Sequence, residues 1–535
     1  MTRFRLPVLA LALAALACDS PTAPLVTKPV LPALTDFRFE AAHNPALAAD
    51  VQGVISGDTV RLVIPAVVEV DSLVPTFTLA EAATYVAIGT RTQHSGVHAA
   101  DFTRDVTYTL RSLSGDTTTV VVSVTVLTGL PVVSVVTDGN VEVTSRDVYV
   151  PASITVYGGK DHPEWNHSGR TQIRGRGNST WYNPKKPYRL KLAAAQSMFG
   201  FPADRDWVLL ANYWDLALAR NATAFTISSL LGMAYTPRCT PVEYYHNGVH
   251  QGSYQLCDHM EVAAHRIPAG TGGWLLELED SRRLDPDETF FHSPQIDLYT
   301  TVGHGDTIPS VWIYKQPDPP TAAQRAVVEG DILKLEEVLY SSYFTNPDTG
   351  YAKYLDVRSI IDWYLVNELS KNNDAAFAFG MYVFKPADGK ITFGPVWDFD
   401  LAFGNYPYDA APEGFKLKTA GYLARLFQDP AFVLQVQARW QVLKGQRAAI
   451  DTYIRDYTRA LHLSQNKSHA LWYPYGARPM IIAGELWTPP AEALRAAPQT
   501  FGAIFSDADY AAEVTAMRSW LSTRFDWLDT RIMGL

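Results

Sequence analysis

Three aspartates are spaced along the chain in a way that suits the transfer of a charged group. Asp398 and Asp400 share one short segment, and Asp374 closes an earlier predicted helix. A hairpin predicted between them, with its turn at Asp388-Gly389, would bring Asp374 back beside the other two. Carboxylates held this close repel one another unless a cation or a proton intervenes. Mg²⁺ bound to one or two carboxylates and to substrate phosphates is the usual solution.

The same arrangement fits phosphoryl transfer. In that reaction one aspartate orients the hydroxyl nucleophile and another holds the metal on the phosphates. For any single one of these aspartates, a structural role explains its presence as well as a chemical role does. It could cap a helix or bond loop backbone. The cluster as a whole favours the chemical interpretation.

A second segment, Arg174–Lys191, combines glycines with basic residues. Gly175 and Gly177 allow the backbone to approach a ligand and to turn its N–H groups toward phosphate oxygens. Basic side chains on the strand predicted next would neutralise phosphate charge. Alone the signal is weak, because such a glycine pair in a basic loop is more often only a turn.

Two cysteines flank a predicted hairpin. Cys239 and Cys257 each lie nine residues from Gly248, and the turn is expected at Asn247-Gly248. They would face each other across the strands at roughly 4.5–5.5 Å between Cα atoms, which a disulfide accepts. Two buried thiols are the alternative, since the register of a hairpin is uncertain from sequence. No matched histidines accompany them to support a zinc site.

The first residues predict export. Arg3 and Arg5 precede the apolar stretch Leu6–Leu16, which is too short to span a bilayer as a mature helix. The stretch runs into Ala15-Leu16-Ala17-Cys18, which resembles the lipobox of bacterial lipoproteins. That resemblance implies cleavage after residue 17 and lipidation of Cys18. Ordinary cleavage that leaves a free Cys18 is the alternative. We therefore expect an exported, membrane-anchored lipoprotein, periplasmic or at the cell surface.

Composition favours a globular protein with more than one core. The chain has 535 residues, of which 47% are hydrophobic and 19% charged. The formal net charge of −10 argues against a nucleic-acid partner, because phosphate backbones require a concentrated basic face.

The pattern along the chain predicts four parts. Residues 1–17 form the leader, and residues 18–35 form a flexible tether rich in proline and alanine. Residues 36–129 show alternating apolar positions around glycine turns, which predicts a small all-β sandwich similar to immunoglobulin-like (Ig-like) modules. In residues 131–535 strand patterns come first and helical patterns later, which predicts an α+β fold.

Several ordered motifs of this last part resemble the CotH kinase family, named for spore coat protein H. The motifs are Arg174–Trp181, Pro184–Lys191, Asp206–Asp215, Gly272–Glu277 and Gly394–Asp400. The resemblance implies a kinase-like domain with a sheet-rich N-terminal part and a helical C-terminal part. It further implies an atypical kinase that binds ATP with Mg²⁺, or Mn²⁺ as a substitute, and phosphorylates serine or threonine on partner proteins.

The resemblance also implies roles for residues. Asp374 is expected to be the catalytic aspartate, and Asp398, with Asp400, to bind metal. Lys186, Arg189 or Lys191 would supply the phosphate-binding cation, with Glu277 as its ion-pair partner. The nucleotide-binding residues so expected are Arg174, Gly175, Arg176, Gly177, Asn178, Ser179, Lys186, Arg189, Lys191 and Glu277.

The chain departs from the family pattern in two respects. Cys257-Asp258 stands where the family often has Thr-Glu, and Asp258 is the shorter acid. The chain also has no HRD motif and no separate DFG motif, so each kinase role depends on the resemblance.

Three functional hypotheses follow. The first is an ATP-dependent kinase acting on exported or surface proteins, although ATP is scarce outside the cell. The second is a non-catalytic surface protein that binds a partner or polymer, with the acidic cluster holding a structural cation. Hydrolysis of a surface polymer by Asp374 and Asp398 ranks last, because nothing predicts a defined spacing of the two carboxylates.

Overall fold

The computed structural model describes residues 31–472, 480–482, 485–487 and 507–535, with short gaps at 48, 66–67, 81–82, 160–161, 297–308, 378 and 407–408. The predicted leader, Cys18 and most of the predicted tether lie outside the described residues. Within the described part of the chain, no helix is both long and apolar enough to cross a membrane.

The N-terminal part is built only from strands. They form a three-stranded sheet, β2-β1-β5, and a six-stranded sheet, β3-β4-β9-β8-β6-β7, which share one hydrophobic core. The predicted hairpin around Gly115 is confirmed as the antiparallel pair β8–β9. An Ig-like relationship stays a prediction. The strands are β1 (Leu34–Phe39), β2 (Val51–Gln52), β3 (Val54–Ser56), β4 (Thr59–Pro65), β5 (Pro75–Leu79), β6 (Ala83–Ile88), β7 (Arg91–Thr92), β8 (Val106–Ser112) and β9 (Thr117–Leu127).

A closed barrel follows, with its strands in the order β10-β11-β12-β13-β14-β16-β15. Parallel pairing of β10 with β15 closes it. The predicted turn between β15 and β16 is present, with Asn247 and Gly248 both at positive φ, as a tight hairpin turn requires. The strands are β10 (Val132–Thr137), β11 (Val150–Tyr157), β12 (His167–Gly175), β13 (Tyr188–Gln196), β14 (Asp204–Leu210), β15 (Cys239–His246) and β16 (Val249–Asp258).

A five-stranded sheet has the order β18-β19-β17-β20-β21, and its first three strands follow the barrel strands in sequence. Its central strand β17 pairs antiparallel with both β19 and β20. Its strands are β17 (Trp274–Asp280), β18 (Phe290–Phe291), β19 (Ser310–Gln316), β20 (Met381–Lys385) and β21 (Thr392–Phe393), and a separate pair is formed by β22 (Met480–Ile482) and β23 (Glu485–Trp487).

Helices dominate the C-terminal part and pack on this sheet around the largest core. The helix over Ala322–Leu339 begins where Thr321 and Gln324 form a capping box. Strand-rich and then helical order confirms the predicted α+β class. The helices are α1 (Arg220–Leu231), α2 (Ala322–Leu339), α3 (Val357–Ser370), α4 (Gly421–Leu426), α5 (Pro430–Gly445), α6 (Arg447–Ala460), α7 (His462–Trp472) and α8 (Asp507–Ile532).

Polar bonds join the N-terminal strands to the barrel hairpin. The amide of Val126 donates to the hydroxyl of Tyr245 at 2.9 Å, and Thr128 Oγ1 donates to Glu243 Oε1 at 2.6 Å. Glu243 is fully buried, and its other oxygen lies 2.6 Å from His250 Nε2. A buried carboxylate needs such partners, and Thr128 supplies one of them from outside the hairpin.

We expect Thr128→Val to lower the free energy of unfolding by about 1–3 kcal/mol, because the buried carboxylate of Glu243 loses a donor without a change of shape. Urea unfolding followed by tryptophan fluorescence measures the change. The matched control is Thr119→Val on the exposed face of β9, with an expected effect within about 0.5 kcal/mol. Equal midpoints for the two variants would contradict the account.

Candidate active site

The acidic loop, defined as residues 394–405, follows the short strand β21 and carries Asp398 and Asp400. Asp398 has φ of 64°, a left-handed conformation that a non-glycine residue adopts only when its surroundings impose it. Two side chains hold the loop there. Asn372 Nδ2 donates to the carbonyl of Asp398 at 3.0 Å, and the amide of Phe399 donates to Asn221 Oδ1 at 2.9 Å.

The carboxylates of this region raise one another's pKa values. Burial, followed by the charge of Asp398, raises the pKa of Asp374 to about 7. Burial and the charges of Asp398, Asp374 and Asp215 raise the pKa of Asp400 well above its usual value. The side chain of Asp398 is exposed to a cleft, yet the surrounding protein displaces much of its water, and its pKa is also raised. The cluster therefore favours a compensating cation.

Two arginines oppose these charges. Arg176 lies over the ring of Trp397 at 5.5 Å, and the charge of Asp398 partly offsets the lowering of its pKa by burial. Arg283 follows β17, lies 3.3 Å from Glu279 and lowers the pKa values of both Asp374 and Asp398. Each arginine thus faces the acidic cluster.

The glycine loop, residues 175–180, is positioned by Arg146. This side chain donates from Nη1 to the carbonyl of Gly177 at 3.0 Å and to Asn178 Oδ1 at 2.9 Å. Gly177 has φ of 83°, and a Cβ there would lie 2.2 Å from Thr180 Oγ1. Gly175 is required for another reason, because a Cβ at this position would lie 2.4 Å from the ring of Trp181.

The glycine loop, the acidic loop and β17 enclose one cleft, which contains about 840 Å³ including its mouth. Seven residues predicted for the site line it: Arg176, Gly177, Asn178, Ser179, Glu277, Asp398 and Asp400. Asp374 is not part of the wall, although Phe379 and Gly380, shortly after it, are. The charge of Asp398 nevertheless raises the pKa of Asp374, and the charge of Asp374 raises that of Asp400, so the three carboxylates interact.

Gly175 belongs to the glycine loop but does not line the cleft, and the other predicted residues lie away from it. Lys186 Nζ donates to the carbonyl of Trp181 at 2.6 Å, and Arg174 lies over the ring of Tyr149. Strand alternation explains the others. Tyr188 and Leu190 of β13 point into the barrel core, so Arg189 and Lys191 occupy its opposite face. Arg189 forms an ion pair there with Asp206 at 2.7 Å.

Glu277 forms an ion pair with a different cation from those predicted. Glu277 and Glu279 are both on β17, two residues apart, and both line the cleft. The partner of Glu277 is Lys315 on the neighbouring β19, with Nζ 2.8 Å from Oε2, rather than Lys186, Arg189 or Lys191. Tyr382 also donates to Glu277 at 2.7 Å. Burial raises the pKa of Glu279 to about 8.

Sequence reasoning missed a chain of buried amides behind the acidic loop. Asn212 donates to Gln255 Oε1 at 2.9 Å, and Asn221 donates to Asn212 Oδ1 at 3.2 Å. Through the bond from Phe399 to Asn221, this chain links strand β16 to the acidic loop. Asn212 lies in the motif Asp206–Asp215 and Asn221 follows six residues after it, but nothing in a single sequence shows that they meet the loop.

Arg220 adds a second support. Its guanidinium donates to the carbonyl of Ala402 at 3.2 Å and pairs with buried Asp215 at 2.5 Å and with Glu513 at 2.9 Å. One residue on α1 therefore connects the acidic loop to α8.

A separate acidic cluster consists of Asp204, Asp206 and Glu261, whose carboxylate oxygens all lie within 4.8 Å of one another. Among the residues that the structure describes, it is the group of three acidic, histidine or cysteine side chains that meets this spacing. Arg266 pairs with Asp204 and Glu261, and Arg189 pairs with Asp206. The two arginines already neutralise much of its charge.

The predicted opposition of the two cysteines is confirmed, because Cys239 and Cys257 are register partners in the β15–β16 pair. Both are free thiols in the structure, so the disulfide itself stays a prediction. Asp258, which departs from the family pattern, accepts from Tyr235 at 2.8 Å and from Arg238 Nε at 2.7 Å.

Lys185, rather than its neighbour Lys186, lines the cleft. It is fully enclosed, and its Nζ donates to the carbonyl of Ser253 at 2.5 Å and to Ser468 Oγ at 3.3 Å. Burial lowers the pKa of Lys185 to about 7.

This lowered pKa predicts a stability difference that depends on pH. An unfolded lysine titrates near ~10.4, so the unfolded chain binds the additional proton between about pH 7 and 10. The destabilising effect of Lys185 is therefore complete below about pH 7 and disappears as pH rises toward about 10. Relative to the parent chain, Lys185→Met should raise the free energy of unfolding by about 2–3 kcal/mol more at about pH 6 than at about pH 9.

Urea unfolding at the two pH values measures this difference. The matched control is Lys390→Met, at an exposed lysine. It should change the free energy of unfolding by the same amount at both pH values. If the free energies of unfolding of Lys185→Met and the parent chain differ by the same amount at both pH values, burial of a titrating amine is contradicted.

The chain was compared with curated proteins and with solved structures. No curated protein matches the chain. A DUF4623 family protein from Bacteroides eggerthii is 10% identical with a TM-score of 0.14, over 32% of this chain and 49% of that protein. A protein described as a candidate glycoside hydrolase from Bacteroides thetaiotaomicron is 12% identical with a TM-score of 0.17, over 58% and 89%. The chain spans about half the length of the first structure, and these scores carry no weight for fold or function.

Two family matches cover most of the chain. Residues 45–126, within the N-terminal sheets, match the family described as SGBP, N-terminal. Residues 173–528, which include the glycine loop and the acidic loop, match CotH kinase protein. This second match covers well over half of the chain, so the chain belongs to the CotH kinase family.

Proposed function

We propose that the chain is an atypical protein kinase that transfers phosphate from ATP, bound with Mg²⁺, to serine or threonine of exported or surface proteins. Family membership supports the proposal. One observation carries it: Asp398 and Asp400 line the same cleft as the glycine loop and Arg283. Acidic groups for a cation and positive groups for phosphates therefore face one space.

The donor set fits a hard divalent cation. Carboxylate oxygens are the ligands that Mg²⁺ prefers, and Mn²⁺ accepts the same ligands. Asp398 and Asp400 would hold the ion, and a positive charge there would favour their ionised forms against burial and nearby carboxylates, which raise their pKa values. When bound, Mg²⁺ would neutralise charge on the phosphates.

The opposite wall suits the phosphates themselves. Gly177 leaves its backbone uncovered, and Arg146 holds the loop in place through the carbonyl of Gly177. Arg176 and Arg283 supply positive charge at the wall. Oriented backbone N–H groups together with guanidinium groups are a common arrangement for phosphate binding.

Asp374 is the candidate general base. A pKa of about 7 allows its carboxylate to accept a proton from a substrate hydroxyl near neutral pH. Its amide donates to Asn372 Oδ1 at 3.2 Å, and Asn372 also bonds the carbonyl of Asp398. One asparagine thus contacts both the proposed base and the proposed metal loop.

The proposal retains the location expected from residues 1–18, with a lipid on Cys18 as the membrane anchor and a protein substrate as partner. The sequence pattern of the leader supports this location. The phosphoryl donor would then have to be present outside the cytoplasm.

A second candidate is a non-catalytic surface protein that binds a partner or polymer, with a structural cation in the acidic loop. One observation favours it. Lys186, Arg189 and Lys191 lie away from the cleft, and Arg283 is already engaged by Glu279. Nucleotide binding separates the two candidates.

We expect ATP with Mg²⁺ to raise the melting temperature of the chain by roughly 1–3 °C at saturating concentrations, because ligand binding stabilises the folded state by mass action. Asp398→Asn should abolish the shift that requires Mg²⁺. The matched control is Asp388→Asn, at an exposed aspartate in the neighbouring β20–β21 turn, which should keep the full shift. An Mg²⁺-dependent shift that survives in Asp398→Asn would contradict the proposed metal ligand.

We expect Asp374→Asn to keep the thermal shift but to lower phosphate transfer by about 10²–10⁴-fold, since the amide cannot accept the hydroxyl proton. Transfer is measured as incorporation of labelled phosphate from ATP into the chain itself or into a mixture of surface proteins. The Asp388→Asn variant again serves as control. Binding without transfer in the parent chain would favour the second candidate.

A further inference from the structure

Cys239 and Cys257 occupy the kind of strand pair in which side chains come closest. They are register partners, and the amide of Asp258 donates to the carbonyl of Arg238 at 3.0 Å, one step outside the pair. That bond pattern makes the cysteines a non-hydrogen-bonded pair, for which Cα atoms lie about 4.5 Å apart. This separation falls within the range that disulfides span.

The residues beside the cysteines already hold the two strand ends together. Arg238 donates from its amide to Asp258 Oδ2 at 3.1 Å and from Nε to the same oxygen at 2.7 Å. Tyr235 adds a bond to Asp258 at 2.8 Å. Joining the two sulfurs therefore requires little movement of the backbone.

The two thiols differ in access. Cys257 is fully buried, whereas Cys239 is only half-buried. Burial raises the pKa of Cys257 well above its usual value. Cys239 is thus the thiol that an external reagent meets first, and Cys257 is the one that resolves the adduct.

We propose that Cys239 and Cys257 are an oxidisable pair that closes into a disulfide across the β15–β16 hairpin, with a small-molecule disulfide or a disulfide-bearing oxidoreductase as oxidant. The thiolate of Cys239 attacks one sulfur of the oxidant and expels a thiolate, which leaves a mixed disulfide. The thiolate of Cys257 then attacks Cys239 Sγ and expels the second thiolate. The two protons lost by the cysteines end on the two released thiols, so the oxidant is reduced by two electrons.

Closure stabilises the folded chain without any role for nucleotide. The bond encloses the hairpin between residues 239 and 257, and loops of this size lower the unfolding equilibrium constant by roughly 100-fold in the chain-entropy account. The inference is therefore independent of the proposed kinase activity.

The test uses the full chain with all three cysteines, reduced and then treated with excess oxidised glutathione. Proteolysis without reduction, followed by mass spectrometry, should show the Cys239 peptide linked to the Cys257 peptide, lighter by two hydrogens than their sum. The Cys257→Ala variant should stop at a glutathione adduct on Cys239. A lasting glutathione adduct on Cys239 of the parent chain, a link to Cys18, or two unmodified thiols would each overturn the proposal.

Unfolding in urea gives a second measurement. The oxidised parent chain should unfold at a higher urea concentration than the reduced chain, whereas Cys257→Ala should show the same midpoint with and without reductant. Equal midpoints for oxidised and reduced parent chain would overturn the stabilising role.

Discussion

Repulsion among carboxylates at the cleft is the interaction that the surrounding structure must offset. Asp398 and Asp400 lie on one loop, and Asp374 and Asp215 add further negative charge. The loop keeps this arrangement because Asn372, Asn221 and Arg220 bond its backbone from three directions. Strain at Asp398, which has φ of 64°, accompanies it. A backbone restrained in this way is typical of a site whose negative charge is neutralised by a bound ligand.

The supports of the acidic loop reach back to the barrel. Gln255 on β16 begins the chain of amides that ends at Phe399, and Ser253 on the same strand accepts from Lys185 in the cleft wall. The partner strand β15 carries Glu243, which bonds Thr128 beyond the end of β9. The β15–β16 hairpin therefore connects the N-terminal sheets with the cleft. Its two cysteines lie at the open end of the same hairpin.

Local patterns were enough to predict elements and their order. The Asn247-Gly248 turn and the opposition of Cys239 and Cys257 follow from neighbours in sequence, and the structure confirms both. Alternation along a strand likewise puts Glu277 and Glu279 on one face of β17, and both line the cleft. Family motifs then identified the loops that form the cleft.

Long-range partners could not be predicted in the same way. The pairing of Glu277 with Lys315 depends on the order of strands in the five-stranded sheet, which periodicity does not reveal. The orientation of β13 places Arg189 and Lys191 on the face opposite the barrel core, and one residue of register would exchange the two faces of the strand. Lys185 rather than Lys186 lines the cleft, and the sequence does not distinguish these two neighbours in the loop before β13.

The location of a bound divalent ion tests the central claim most directly. Crystals grown with Mn²⁺ and a non-hydrolysable ATP analogue would show the ion by its anomalous scattering. We expect a peak in direct contact with Asp398 or Asp400 and next to the phosphates. A peak instead at Asp204, Asp206 and Glu261, with none at the acidic loop, would contradict the account.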